Sequence, residues 1–439
     1  MQICAPGGRS SIWSIWKKYA GREPARHTKE FAGNPTGMKI LWLKAGKLLP
    51  VDTGGKIRSI NILRHLAKNH QVTLLSYYGG QRDPDYETSI RERLPGTCTI
   101  YTAAPEGTLR QSLDYIWRLP SRAPYAVTKF TDPQVRRTVA QWVGAERFDV
   151  AVCDFLSASL NFPEGSPLPS VLFQHNVESV LWQRMAETET APWRKLSYSI
   201  EAAKMARYEK RTLARFQHVI AVSERDREEM LRLDPRCRIT VVPTGVDTEQ
   251  YRAAPSASGN PPIVVFIGSM DWEPNIDAVE YFCREIWPTV LRDFPDARFQ
   301  IVGRNPHARV QRLKSASVEI TGKVASVADY LAPATVVAVP LRIGGGTRLK
   351  IFEAMAMGKV VVSTSIGAEG LSLTPGRDLL IADSSGSFAT SILELLHHPE
   401  LRRACEQSAA ALAARYDWSK ISLAFADALR ESIANFHEG

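Results

Sequence analysis

Residues 336–364 read VVAVPLRIGGGTRLKIFEAMAMGKVVVST. A short, continuously apolar, β-branched run gives way to glycines and then to a helical period. A second run of the same kind follows. Runs apolar on both alternating faces belong to strands covered on both sides, which is the signature of a parallel sheet layered between helices. Gly344, Gly345 and Gly346 allow backbone N–H groups to converge on an anion, Thr347 can cap the helix, and the helix N-terminus adds partial positive charge. A tight strand-to-helix turn needs such glycines too, but it has no need of the cations Arg342, Arg348 and Lys350 around them. Those cations favour a diphosphate cradle. Glu353 lies about two turns inside the helix, where a carboxylate needs a donor. The two adjacent hydroxyls of a ribose beyond the phosphates would supply it; the competing reading is an ion pair with Lys350 or Arg348.

Outward from that unit, the same alternation covers the chain from Met38. The predicted strands are KILWL (39–43), QVTLLSYY (71–78), CTIYTA (98–103), DVAVCD (149–154), SVLFQH (170–175) and HVIAVS (218–223), with ITVVPTGVD (239–247) ending the first series. YRAAPSASGNPP (251–262) has loop composition. The pattern restarts at PIVVFIGS (262–269) and continues through RFQIVG (298–303), SVEITG (317–322), VVAVPL (336–341) and KVVVST (359–364). The expected fold class is therefore α/β, with two Rossmann-like doubly wound halves facing across a cleft. The expected division is an N-terminal extension over 1–37, one half over 38–246, the other over 247–416, and a helix over 417–439 crossing back to the first half. Ligands in open α/β sheets bind at the carboxyl ends of strands, so the working cleft lies between the halves.

Composition narrows the function. The 439 residues are 44% hydrophobic and 23% charged, and the six cysteines stand apart without metal-ligand spacing, which suits a reducing cytoplasm. The formal charge is +9, and Arg9, Lys17, Lys18, Arg22, Arg26 and Lys29 in the extension hold much of the excess. The extension reads as disordered; the alternative is an amphipathic surface anchor on SIWSIWKKY (11–19). No nucleic-acid-binding motif accompanies the charge, so nucleic acid is not an expected partner. Lys204, Arg207, Lys210, Arg211 and Arg215 on the helical stretch 201–217 form either a solvated face or a contact with anionic lipid. Asp83 and Asp85 make a DxD among turn residues, read as a surface loop rather than a metal site.

The run GGGTRLKIFEAMAMGKVVVSTSIGAEGL (344–371), together with VIAVSERD (219–226), VVPTGVDTEQY (241–251) and FIGSMDWEPN (266–275), resembles glycosyltransferase family 4, in its GGGTR-type branch. These are retaining nucleotide-sugar transferases of GT-B fold. The resemblance implies that Glu353 holds the donor ribose as the second glutamate of a paired motif, whose first member is replaced here by Gly345. It implies a diphosphate site made of Gly344, Gly345, Gly346, Thr347, Arg348 and Lys350. Many relatives carry an Arg and a Lys after FIGS; here no basic residue precedes Arg284, so Arg348 is the substitute, with Lys350 and Arg342 behind it. Gly54 and Gly55 match the loop near diphosphate and acceptor. His175 matches the histidine near the transferred sugar, with Asn176 and Glu178 orienting it or touching the acceptor, and Asp271 and Asn275 lining the cleft. The catalytic group is then His175, Glu353 and Arg348.

The same resemblance implies no cofactor and no metal, with the nucleoside-diphosphate sugar as co-substrate and a glycan or lipid-linked acceptor, in cell-surface polysaccharide or glycolipid synthesis. A donor phosphate oxygen would take the acceptor proton, so no protein nucleophile is required. The expected place is the cytoplasm, or peripherally the inner face of the membrane. Two alternatives stay open: a GT-B nucleotide-sugar epimerase, and a non-catalytic nucleotide-sugar-binding subunit.

Overall fold

The computed structural model describes residues 37–438 except 103–107, 146, 190, 253–260 and 344–348. Seven strands form the first sheet: β1 Lys39–Ala45, β2 Gln71–Tyr78, β3 Thr97–Tyr101, β4 Val150–Asp154, β5 Ser170–Phe173, β6 His218–Ala221 and β7 Ile239–Val241. Their order is β3-β2-β1-β4-β5-β6-β7, parallel throughout. Six form the second, in the order β10-β9-β8-β11-β12-β13: β8 Ile263–Ile267, β9 Arg298–Val302, β10 Val318–Gly322, β11 Val336–Val339, β12 Val361–Ser363 and β13 Leu380–Ile381. Every pairing there is parallel as well. The helices used below are α1 Gly54–Leu66, α2 Thr108–Arg118, α3 Glu178–Thr188, α4 Pro192–Arg215, α5 Glu224–Leu233, α6 Glu273–Tyr281, α7 Leu349–Ala356 and α8 Trp418–Glu438.

The strand alternation decides what sits on each face. In β1, Leu41 and Leu43 face one core with Ala151, Cys153 and Leu172. Ile40 and Trp42 face the other, with Val150, Val152, Val171 and Phe173. That second layer is closed by α8: Trp418, Ile421, Phe425 and Leu429 are buried in it. The apolar period of 417–436 is thus satisfied by the first half, as expected of a returning helix. The crossing is pinned where the chain passes between the halves twice, side by side. Val246 N–H donates to Tyr416 O at 2.8 Å, and the Thr248 hydroxyl donates to Asp417 Oδ2 at 2.6 Å. Trp418 lies so close on Gly245 that a β-carbon there would stand 2.6 Å from its ring.

The Asp83–Asp85 pair is not in a loop. Asp83 caps the helix Pro84–Arg93 by accepting from Tyr86 N–H at 2.9 Å, and it pairs with Lys47 at 2.8 Å. No helix among the described residues is long and apolar enough to cross a membrane.

Candidate functional site

The site starts from a register. β1 pairs with β4 so that Lys44 stands opposite Asp154, and β4 pairs with β5 so that Asp154 stands opposite Phe173. Side chains two apart share a face, so Lys44, Asp154 and His175, two residues beyond Phe173, meet on the same side of the sheet. Asp154 is fully buried. It accepts from Lys44 Nζ at 2.9 Å, from Trp42 Nε1 at 2.9 Å and from His175 Nε2 at 2.7 Å. Burial alone would raise the Asp154 carboxyl, but the Lys44 ammonium and then His175 outweigh it and hold it well below the usual range. Burial, with lesser help from Lys44 and Arg58, drives His175 down to about 4 despite the pull of Asp154. At neutral pH the imidazole is uncharged, gives its Nε2 proton to Asp154, and keeps Nδ1 as an acceptor.

Nδ1 faces the start of α1. A β-carbon at Gly55 would sit 3.3 Å from it, while one at Gly54 would sit 3.6 Å from Leu349 Cδ1 at the start of α7. The glycine pair therefore lies between the histidine and the helix that begins at Leu349. Thr53, before α1, makes no side-chain cap bond, so the first amides of this helix are open to an anion from the cleft. Gly55→Ala pushes the His175 ring by a few tenths of an ångström, whereas Gly54→Ala meets only ordinary contact. The expected result is a roughly tenfold fall in kcat for Gly55→Ala and near-normal kcat for Gly54→Ala. Unfolding midpoints for both should stay close to wild type; equal activities would remove the histidine from the reacting centre.

Two cavities flank this point. One, of about 530 Å³, is lined by Ile57, Asn61 and Arg64 of α1, Asp247 and Tyr251 of the linker, and Leu349 and Glu353 of α7. The other, of about 430 Å³, includes Gly54, Asn176, Leu181, Arg184, Trp272 and Glu369. Glu353 finds its donor in the Tyr251 hydroxyl. Burial raises its carboxyl pKa, with the Tyr251 bond and the Lys350 charge working against that. Lys350 lies over the Phe266 ring at 4.2 Å and donates to Asn275 Oδ1 at 3.0 Å. Asn275 is buried, and its amide also donates to Ser269 O, so it serves Lys350 instead of presenting itself to the cleft. Asp271 is exposed in the turn after β8, accepting from Ser269 and Asn305. Burial raises the Glu178 carboxyl pKa, with the nearby Asn176 and Trp182 side chains working against that.

Gly344, Gly345, Gly346, Thr347 and Arg348 lie outside the described residues. Arg342 is committed elsewhere: it makes two bonds to Asp277, at 2.6 and 3.1 Å, and covers the Tyr281 ring at 4.3 Å. These contacts hold the side chain that the sequence places behind Arg348 and Lys350 as a diphosphate cation. A further cation, not singled out in the sequence, is Arg304, just past β9, whose Nε donates to Ser269 Oγ at 3.0 Å and whose Nη1 meets Asp52 of the first half at 3.1 Å. A second bridge crosses the cleft mouth, where Glu369 takes Arg225 and, at 3.4 Å, Arg184. Lys44 and Asp154 carried a signal, namely a charge at the end of an otherwise apolar strand; its meaning needed the register.

Behind the histidine, Glu209 of α4 is buried. It accepts from the Gln174 amide at 3.0 Å, from the Glu178 and Ser179 N–H groups, each at 3.0 Å, and from the Ser179 hydroxyl. It fixes the turn that carries His175 and Asn176.

Comparison with known proteins agrees with this architecture. Residues 53–250 match the description "Glycosyltransferase Family 4", and residues 261–398 match "Glycosyl transferases group 1". An uncharacterized 44.6 kDa protein in the cps region of Klebsiella pneumoniae is 22% identical over 370 residues, covering 81% of this chain and 90% of that one. Sucrose-phosphate synthase from Thermosynechococcus elongatus aligns with a TM-score of 0.66 at 15% identity, covering 91% of this chain and all of that one. Anabaena HepE, solved with UDP and glucose, aligns with a TM-score of 0.61 at 17% identity, covering 90% and 99%. At such identities the structural likeness speaks for the shared two-domain fold, and the matched descriptions, which between them span both halves, speak for the kinship: the chain belongs to the group 1, family 4 glycosyltransferases of GT-B fold.

Proposed function

We propose that the protein is a retaining, metal-independent glycosyltransferase that moves a sugar from a nucleoside-diphosphate sugar to a glycan or lipid-linked acceptor. The observation that carries this reading is the meeting of three elements at one point: Gly54 against Leu349 of the donor helix, and Gly55 against His175. In this reading the nucleoside enters the cavity at Glu353, its ribose hydroxyls replacing the Tyr251 hydroxyl. The diphosphate lies between the starts of α1 and α7, with Lys350 and Arg304 near. HepE with UDP and glucose supports a uridine donor among the candidates.

The charge that develops on the leaving diphosphate is met by backbone amides and cations already in place, which is why no divalent ion is required. His175, neutral with Nδ1 open, accepts a hydrogen bond from a hydroxyl of the transferred sugar and orients it without supplying or taking a proton. A donor phosphate oxygen takes the acceptor proton on the leaving-group face, which keeps the anomeric configuration.

A thermal-shift panel of UDP, GDP and ADP sugars, with and without EDTA, is the first test. A donor at 100 times its Kd adds about 2.7 kcal/mol of stability, and the shift should survive the chelator. Silence across the panel would sink the reading. Conversion of the sugar with no acceptor present would favour an epimerase, and binding without turnover a non-catalytic subunit.

A further inference from the structure

We propose that the face shared by α2 and the first half of α4 docks the protein on an anionic lipid bilayer. The two helices lie against each other: the Tyr115 and Ser197 hydroxyls are 2.9 Å apart, and Lys204 Nζ donates to Leu119 O at 2.7 Å. Their outer sides carry Leu113, Ile116, Trp117 and Leu119 from the first segment and Trp193, Leu196 and Ile200 from the second, all exposed. Trp117 is 85% exposed and Trp193 74%. A concentration of large apolar side chains like this is a binding surface, since soluble surfaces carry such residues scattered singly.

Charge identifies the occupant. On α4, Trp193, Leu196, Ile200, Lys204, Arg207 and Arg211 recur at helical spacing on one face, so the apolar stripe turns basic along the same line. The neighbouring acids are neutralised within the protein: Asp114 by Arg118 at 2.8 Å, Glu189 by Arg194 at 3.2 Å and Glu201 by Lys204 at 3.3 Å. Arg122, Lys195, Arg207 and Arg211 are exposed, with no acidic partner among the described residues. Tryptophans beside unpaired cations suit the boundary between headgroups and acyl chains of a membrane rich in anionic lipid. The face also stands one helix away from the cleft. Trp182 of α3 meets Tyr198 of α4 with ring centroids 6.0 Å apart, and Leu181 and Arg184 of α3 line the second cavity. Docked this way, the enzyme would present that cavity to an acceptor held in the same membrane. That last step rests on the transfer reading; the docking does not.

Flotation of the full chain with vesicles of phosphatidylcholine alone, or with about one-third phosphatidylglycerol, tests the proposal. The expected result is binding to the anionic vesicles only, weakened by salt. The bound fraction should fall at least tenfold in Trp117→Glu/Trp193→Glu, and several-fold in Arg207→Glu/Arg211→Glu. These side chains are exposed, so unfolding midpoints should not move. Trp13→Ala/Trp16→Ala, in the N-terminal extension, should keep most of the binding. Overturning results are equal binding to neutral vesicles, loss only in the Trp13/Trp16 variant, or a wild-type dimer by light scattering that the Trp117/Trp193 variant dissociates. Donor-dependent thermal shifts of the same variants should match wild type, which separates failure of docking from failure of the transferase reading.

Discussion

Asp154→Ala lowers stability at pH 7 by about 3–5 kcal/mol, because it strands the Lys44 ammonium in the interior without a partner. The carboxylate receives Lys44, Trp42 and His175 at 2.7–2.9 Å and has no solvent exposure. Removing both charges, in Lys44→Met/Asp154→Leu, should recover the part of the loss that comes from the stranded ammonium, while Trp42 Nε1 and His175 Nε2 stay without an acceptor. Activity should not recover, because the imidazole then loses the acceptor that fixes its tautomer. Urea unfolding of the three proteins checks this; a double variant as unstable as Asp154→Ala would show that the charges are not the cause.

The same cluster sets the acid limb. His175 titrates at about 4 in the folded protein and near 6.5 unfolded, so on acidification the unfolded chain takes its proton first. Stability therefore declines as pH falls from 6.5 to 4, by about 3 kcal/mol for such a gap. Asp154, held below the unfolded value, contributes stability that is present above about pH 4 and is lost as pH falls towards its folded pKa. His175→Gln should flatten the upper window and narrow the lower one, which Lys44 still supports.

How much of this was legible in the sequence follows from what each feature depends on. The strands were readable because a parallel strand buried on both faces is apolar throughout, and QVTLLSYY is β2 to the residue. β13, two residues long, has no period to read. Gly54, Gly55 and His175 sit next to elements that announce themselves locally. Lys44 and Asp154 are 110 positions apart and meet only through the β1–β4 register. Arg342 shows the same dependence on the fold: beside the glycines in sequence, it pairs with Asp277, one helix over. For Glu353 the sequence offers a ribose, or else an ion pair with Lys350 or Arg348, and has no means of showing that the linker brings Tyr251 to the same carboxylate.

That linker contact leads to the second large effect. Glu353→Ala should reduce kcat/KM for the donor by about 10²–10⁴-fold, the worth of two hydrogen bonds to a charged group at about 1.5–3 kcal/mol each. Glu353→Gln, which keeps one acceptor oxygen, should fall between. Tyr251→Phe should act in the other direction. The phenol occupies the carboxylate while the cavity is free of ligand, and a ribose must displace it. Losing it leaves a desolvated carboxylate unsatisfied, which costs the unliganded protein about 1–3 kcal/mol. Part of that cost returns when the ribose binds, so the variant should melt lower without donor, show a larger donor-induced shift, and bind donor a few-fold more tightly. Titration calorimetry on the three variants decides the matter. If Tyr251→Phe weakened donor binding as much as Glu353→Ala, the phenol would be a donor contact instead of a stand-in for one. If Glu353→Ala left affinity intact, the ribose would lie elsewhere and the carboxylate would serve only to tie the linker to α7.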